Sequence, residues 1–195
     1  FLNTNILVNG HVLIPRFETE YLVEKILKKV EKYKENKLSC LDICTGSGCI
    51  AIGIAKNTNF EVKAIDISKE CLEIAEENAK RNHVKIEWEQ IDILKNATLS
   101  NYDIIIANPP YIDKEEEVDP TTKYEPQMAL FASEHGLIFY KKIIEQIQKK
   151  PKLIAFEIGE KQGAKITEML RIAFPTAKIT IEQDLCGKDR YIFTE

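Results

Sequence analysis

The chain has 195 residues, 44% of them hydrophobic and 30% charged, which suits one domain with a real core and excludes wholesale disorder. A formal charge of −4 excludes the strongly basic balance of a general nucleic-acid binder, and no apolar run approaches the roughly 20 residues that cross a bilayer. The five cysteines, Cys40, Cys44, Cys49, Cys71 and Cys186, are odd in number and lack C-x-x-C spacing, which argues against a disulfide scaffold or a metal site and for a reducing cytoplasm.

The chain opens on Phe1 without a signal-peptide pattern and reads as a piece of a longer protein. Asn5–Ile14 has Asn9-Gly10 between two β-prone runs, the pattern of a β-hairpin. Glu18 to about Lys34 has helical periodicity, with Leu22, Ile26, Val30 and Tyr33 on one face. Beyond the polar Lys34–Lys37 stretch, strands are predicted at Ser39–Ile43, Glu61–Asp66, Val84–Gln90, Tyr102–Ala107 and Leu153–Ile158. Helices are predicted at about Cys49–Lys56, Lys69–Asn82, Gly136–Lys149 and Lys161–Ala173, with Ser68 as an N-cap. This alternation predicts an α/β fold, a doubly wound parallel sheet. Lys178–Gln183 and Arg190–Thr194 then form a C-terminal antiparallel hairpin on it. The charged run Asp113–Asp119 opens a long connection to Gly136, either a solvated loop or a lid.

Asp42-Ile-Cys44-Thr45-Gly46-Ser47-Gly48 links the first parallel strand to a helix, and Asp66 ends the second strand. Glycines here permit a tight turn and close approach of backbone to a ligand, and the carboxylate is placed to accept hydrogen bonds from ribose hydroxyls. Gly46-x-Gly48-x-x-Ala51 also satisfies a dinucleotide fingerprint, and the alternative is a β-to-α turn without a ligand. Asp92, ending the third strand, either meets an adenine amino group or caps a turn.

The fourth strand runs into Asn108-Pro109-Pro110-Tyr111. Asn108 offers a side-chain carbonyl, Pro109 a backbone carbonyl, the prolines rigidity and Tyr111 a flat face. Two rigid acceptors beside an aromatic plane suit a planar –NH₂ group that becomes positive as it attacks a methyl cation equivalent. The bland reading is a proline-rich turn.

D-x-x-T-G-S-G, A-I-D and N-P-P-Y together resemble the S-adenosylmethionine-dependent amino-methyltransferases. Val12-Leu-Ile-Pro-Arg16-Phe17-Glu18-Thr19-Glu20 is similar to the V-L-I-P-R-P-E-T-E signature of the PrmC/HemK-type release factor glutamine methyltransferases. Tyr124-Glu125-Pro126 with Met128-Ala129-Leu130, Glu157-Ile-Gly159 with Gln162-Gly163, and Asp184 with Gly187, Asp189 and Arg190 also resemble that family.

The resemblance implies a Rossmann-like methyltransferase domain at 37–195, with a hairpin and helix at 1–36 packed on it and a helical substrate-binding domain expected upstream. It implies methyl transfer from S-adenosylmethionine, leaving S-adenosylhomocysteine, to the glutamine of the Gly-Gly-Gln motif in class I peptide chain release factors. Asn108 and Pro109 would hold the amide, and Pro110 and Tyr111 would shape its slot. Asp42, Cys44, Thr45, Gly46, Ser47, Gly48, Asp66, Asp92, Ile93 and Asn108 would contact the cofactor. Three residues depart from the family pattern: Cys44 for a glycine, Phe17 for a proline, and Ile93 where an aromatic often packs on adenine.

A cytoplasmic monomer without metal, membrane or direct nucleic-acid contact is expected. The rival readings are methylation of a ribosomal-protein glutamine or of nucleic-acid adenine, a nicotinamide-dependent enzyme, and a non-catalytic nucleotide-binding module. His11, His83 and His135 lack ligand spacing and read as surface or packing residues. Arg16 and Glu18 either position a loop over the site or simply start a helix, and Glu20 reads as part of a solvated first turn.

Overall fold

A computed structural model describes residues 1–33, 36–95, 97, 99, 101–116, 118, 122 and 124–195. In chain order its elements are α1 (Phe17–Val30), β1 (Ser39–Ile43), α2 (Cys49–Asn57), β2 (Glu61–Asp66), α3 (Lys69–Arg81), β3 (Glu87–Gln90) and β4 (Ile104–Ala107). Then follow β5 (Ile112–Asp113), β6 (Phe131–Ala132), the single turn α4 (Ser133–Gly136), α5 (Ile138–Gln146), β7 (Leu153–Glu157), α6 (Gly163–Ala173), β8 (Ile179–Gln183) and β9 (Asp189–Thr194). Lys34, the expected end of the first helix, lies outside the described residues, as do Glu117 and Asp119 of the charged run.

Seven strands form one sheet in the order β3-β2-β1-β4-β7-β9-β8. The first five of these run parallel, and β9 and β8 add antiparallel strands at one side as the C-terminal pattern predicts. Side chains alternate faces along each strand. Cys40, Ile104, Ile106, Leu153, Ala155 and Phe193 pack with Leu22, Ile26 and Ile54 of α1 and α2. Leu41, Ile43, Ile105, Ile154, Phe156 and Ile192 pack with Tyr140 and Ile143 of α5 and with Ile166 and Leu170 of α6. Burial on both faces is why these strands read as continuous apolar runs.

The N-terminal β-hairpin does not form. The turn at Asn9-Gly10 is present, closed by bonds from His11 N to Asn9 Oδ1 (2.9 Å) and from Val12 N to Asn9 O (3.4 Å), but no strand precedes β1 among the described residues. The backbone groups that a hairpin would pair are taken by two amides of α3. Leu7 N donates to Asn78 Oδ1 (2.7 Å) and Leu7 O accepts from Asn78 Nδ2 (3.0 Å). Asn5 is held the same way by Asn82. Each side-chain amide thus does what one residue of a neighbouring strand would do. Glu20, expected in solvent, accepts a bond from Leu2 N at 2.7 Å.

Two boundaries move for local reasons. Val84 belongs to the end of α3 rather than to β3: His83 takes φ +58, His83 N donates to Lys80 O and Val84 N to Ala79 O, a Schellman cap with histidine where glycine is usual. The helix predicted from Gly136 starts at Ile138, because Gly136 has φ +78 and a Cβ there would stand 1.9 Å from Tyr111 O. Only glycine allows the chain to pass so close behind the N-P-P-Y segment.

Candidate active site

Because β1 lies between β2 and β4, the loops leaving β1 and β4 diverge and open a crevice at the carboxyl edge of the sheet. Ile43 pairs with both Ile65 and Ala107, so Cys44, Asp66 and Asn108 emerge at one level. The cleft is lined there by Cys44, Thr45, Gly46, Ser47, Asp66, Asn108 and Pro110. The cleft is also lined by His11, Leu13, Pro15 and Thr19 and by Pro126, Met128 and Phe139, none of which the sequence reading assigned a ligand contact.

The loop after β1 is built on Asp42. This carboxylate is fully buried, and its Oδ2 accepts from Thr45 Oγ1 (2.6 Å) and Ala51 N (3.2 Å). Burial, against those bonds, raises its carboxyl to about 7. Asp42 therefore sits beneath the loop rather than in the cleft, and its Oδ1 has no partner among the described residues. Gly48 has φ +79, and a Cβ there would stand 2.9 Å from Ala75 Cβ of α3, which leaves no room for a side chain. Gly46 N donates to Asp66 Oδ2 (2.9 Å) and Ser68 N to Asp66 Oδ1 (3.0 Å), so each oxygen of Asp66 keeps lone pairs for the cleft. Burial raises the Asp66 carboxyl, against those backbone bonds.

Cys44 is half-buried, and desolvation followed by the charges of Asp66, Asp42 and Asp92 holds its thiol well above the usual range. Asp66, a carboxylate at the cleft with spare lone pairs on both oxygens, fits a ligand with ribose hydroxyls, and its charge beside position 44 fits a positive centre.

The N-P-P-Y segment is held from three sides. Asn108 Nδ2 donates to Thr19 Oγ1 (3.0 Å), and Thr19 Oγ1 donates to Glu157 Oε2 (2.7 Å). The Tyr111 hydroxyl reaches Glu157 Oε1 at 3.4 Å, and Tyr111 O accepts from Gln162 Nε2 at 2.8 Å. Burial raises the Glu157 carboxyl to about 7, opposed by the Thr19 bond and the Arg190 charge. Burial and then the Glu157 charge push the Tyr111 hydroxyl up as well, so it stays neutral. Pro109 is buried, and its carbonyl carries no hydrogen bond among the described residues.

Arg16 reaches both oxygens of Glu125 at 2.7 Å, tying the turn before α1 to the Tyr124-Glu125-Pro126 segment. Of its two readings, loop positioning is the one the geometry favours.

Residues 17–125 match the family model described as methyltransferase small domain. The chain is 46% identical over 200 residues to a release factor glutamine methyltransferase of Lactococcus lactis, covering 98% of this chain and 72% of that protein. This chain belongs to the release factor glutamine methyltransferase family. The fold is shared with the N-terminal domain of human METTL16 in complex with SAH (TM-score 0.68, 22% identity, 100% of this chain and 76% of that one). It is also shared with the release factor-specific protein-(glutamine-N5) methyltransferase of Alicyclobacillus acidocaldarius (TM-score 0.55, 24% identity, 96% and 97% covered).

In this methyltransferase the expected site residues do not all reach one place: Asp42 lies beneath the loop, Gly48 and Pro109 are buried and do not line the cleft, and Tyr111 lines a second cavity with Gln162 and Arg190. Cys44, Thr45, Gly46, Ser47, Asp66, Asn108 and Pro110 converge on one cleft. Asp92 and Ile93 stand apart from it. The Asp92 carboxylate accepts from Leu94 N and its carbonyl from Lys95 N, so it caps a turn. Ile93 is 4% exposed in the core on the α5–α6 side of the sheet, and the apolar lining of the cleft includes Leu13, Ile67, Met128 and Phe139. Phe17, where the family pattern has proline, opens α1 and is 63% exposed. It occupies a position that proline suits because its N–H needs no partner there. Thr19 and Glu157 were visible only as letters of the family signatures, and their contact depends on the β4–β7 register.

Proposed function

We propose that this chain transfers a methyl group from S-adenosylmethionine to the side-chain amide nitrogen of the glutamine in the Gly-Gly-Gln motif of class I release factors. The observation that carries the reading is Asn108, anchored through its nitrogen so that its carbonyl oxygen is free at the cleft, next to the unpartnered carbonyl of Pro109. S-adenosylmethionine supplies an electrophilic methyl carbon on a cationic sulfur. The Cys44–Gly48 loop and Asp66 are the residues that would hold it.

Asn108 Oδ1 and Pro109 O would accept the two hydrogens of the glutamine amide, orienting its nitrogen. As that nitrogen gains positive charge, the two fixed dipoles stabilise the transition state more than the ground state. Pro110 and Tyr111 bound the slot and exclude water. No side chain is required as base, because the methylated nitrogen releases its proton to solvent. Residues 1–36 serve the 37–195 domain in this reading, since Arg16 and Thr19 hold parts of the slot.

We place the protein in the cytoplasm, acting as a monomer without direct nucleic-acid contact. All five cysteines as free thiols fit a reducing compartment, the charge is −4, and one chain supplies every group the reaction needs. No helix among the described residues is long and apolar enough to cross a membrane.

The test is transfer of label from S-adenosylmethionine to an unmethylated class I release factor, alongside the same factor with its Gly-Gly-Gln glutamine replaced. Label on the first alone is expected; label on both, or on neither, rejects the reading. Asp66→Ala should weaken S-adenosylhomocysteine binding by about 10-fold or more in calorimetry, the usual effect of losing a charge-assisted hydrogen bond.

A further inference from the structure

We propose that Thr19 and Glu157 are positioning residues that decide which end of the Asn108 carboxamide faces the substrate, an inference that rests on the reading of Asn108 as the amide-binding residue. Sheet register creates the arrangement. Ala107 pairs with Phe156, so the next residues of β4 and β7, Asn108 and Glu157, lie side by side, and α1 places Thr19 over both. Glu157 is 2% exposed and Thr19 3%, so water does not compete for their bonds.

The polarity of the chain follows from proton counting. A carboxylate only accepts, and a threonine hydroxyl has one proton to give. Thr19 gives it to Glu157 at 2.7 Å. Its oxygen is then left as an acceptor, which only the nitrogen end of Asn108 can satisfy, at 3.0 Å. A reversed carboxamide would set two acceptors against each other at that distance and turn –NH₂ toward the –NH₂ of the substrate. A buried negative charge thus fixes an acceptor at the slot through one hydroxyl.

Protonated Glu157 loses this direction, because it can give its own proton to Thr19 and release the hydroxyl to donate to Asn108. The groups facing Glu157 are Glu18 and Thr19 from α1, Cys49 from α2, Tyr111 after β4, Tyr140 from α5, and Arg190 and Tyr191 from β9. Burial, with Glu18, favours the acid, while the Thr19 bond, the Arg190 charge and the Tyr111 bond favour the carboxylate. The carboxyl is raised to about 7, so the device is intact above that pH and fails below it.

The experiment measures kcat and KM for methylation of a class I release factor by the full chain, with both substrates saturating for kcat, and S-adenosylhomocysteine binding by calorimetry as a check that each variant is folded. Thr19→Val should lose about 30-fold in kcat, while both KM and cofactor affinity stay within about twofold. Thr19→Ser, which keeps the hydroxyl, should return kcat to within about threefold of the parent. Parent kcat should fall below about pH 7, and in Glu157→Gln that acid limb should vanish.

Equal kcat in Thr19→Val and Thr19→Ser, or an acid limb that persists in Glu157→Gln, overturns the proposal and leaves the substrate reading standing. A parent enzyme that transfers no label to the Gly-Gly-Gln glutamine overturns both.

Discussion

At position 44 a cysteine holds the backbone at φ +60, a region that costs an L-residue about 1–2 kcal/mol. Glycine, the residue of the family pattern, would remove that strain but would lose about 0.5–1 kcal/mol to its freedom in the unfolded chain. The two nearly cancel, so Cys44→Gly should leave the melting temperature within a few degrees. Its effect belongs to the ligand. The thiol lines the cleft and stays protonated, because burial and the charges of Asp66, Asp42 and Asp92 all raise it. It therefore occupies space without contributing a charge that could pair with a cationic sulfur. Removing it should tighten S-adenosylhomocysteine binding several-fold in calorimetry. Weaker binding by the glycine variant would show that the thiol contacts the ligand favourably and does not crowd it.

Among the elements, α3 carries more than its own packing. Asn78 is fully buried and bridges three backbone groups, Leu7 N, Leu7 O and Ser47 O, at 2.7, 3.0 and 2.9 Å. One side chain thus couples the N-terminal segment to the loop after β1. Asn78→Ala leaves those groups without a partner and should cost about 2–3 kcal/mol, or roughly 5–10 °C in melting temperature. Residues 5–13, which bring His11 and Leu13 to the cleft, should become open to limited proteolysis, and cofactor affinity should fall with them. A variant that melts as the parent does and resists protease would show that the segment is held by other contacts.

The same element explains what could and could not be read in the chain. β1, β4 and β7 are legible because both their faces are buried, and the glycine loop and N-P-P-Y because each is contiguous in sequence. The hairpin failed because its partners are two amides about 70 residues away, for which alternation carries no signal. Thr19 and Glu157 are 138 residues apart, and only the sheet register joins them. Ile93 faces the core through the turn that Asp92 caps, which the letters alone do not reveal.

On the scale of the whole molecule, two fully desolvated carboxylates set how stability responds to pH. Asp42 and Glu157, ordinarily at 3.8 and 4.5, are each raised to about 7 in the fold, and burial raises Asp66 in the same direction. Between those limits the native state binds more protons than the unfolded one, so stability decreases as pH rises. The contribution is fully present below the unfolded values and is lost as pH passes through about 7, on the order of 3 to 4 kcal/mol for each of the two.

Asp103, Asp113, Asp184 and Glu182 are held below their ordinary values by nearby bonds and charges. Their effect has the opposite sign and is confined to more acid solution. The melting temperature should therefore fall by several degrees in calorimetric scans from about pH 5.5 to 8.5. Asp42→Asn, whose Oδ1 can still accept from Thr45 and Ala51, should make that fall shallower by about half, since one of the two titrations is gone. A melting temperature that rises over this range, or a slope unchanged in Asp42→Asn, would mean that the loop carboxylate is ionised in the fold at neutral pH. A full negative charge would then lie beneath the loop in addition to that of Asp66 at the cleft.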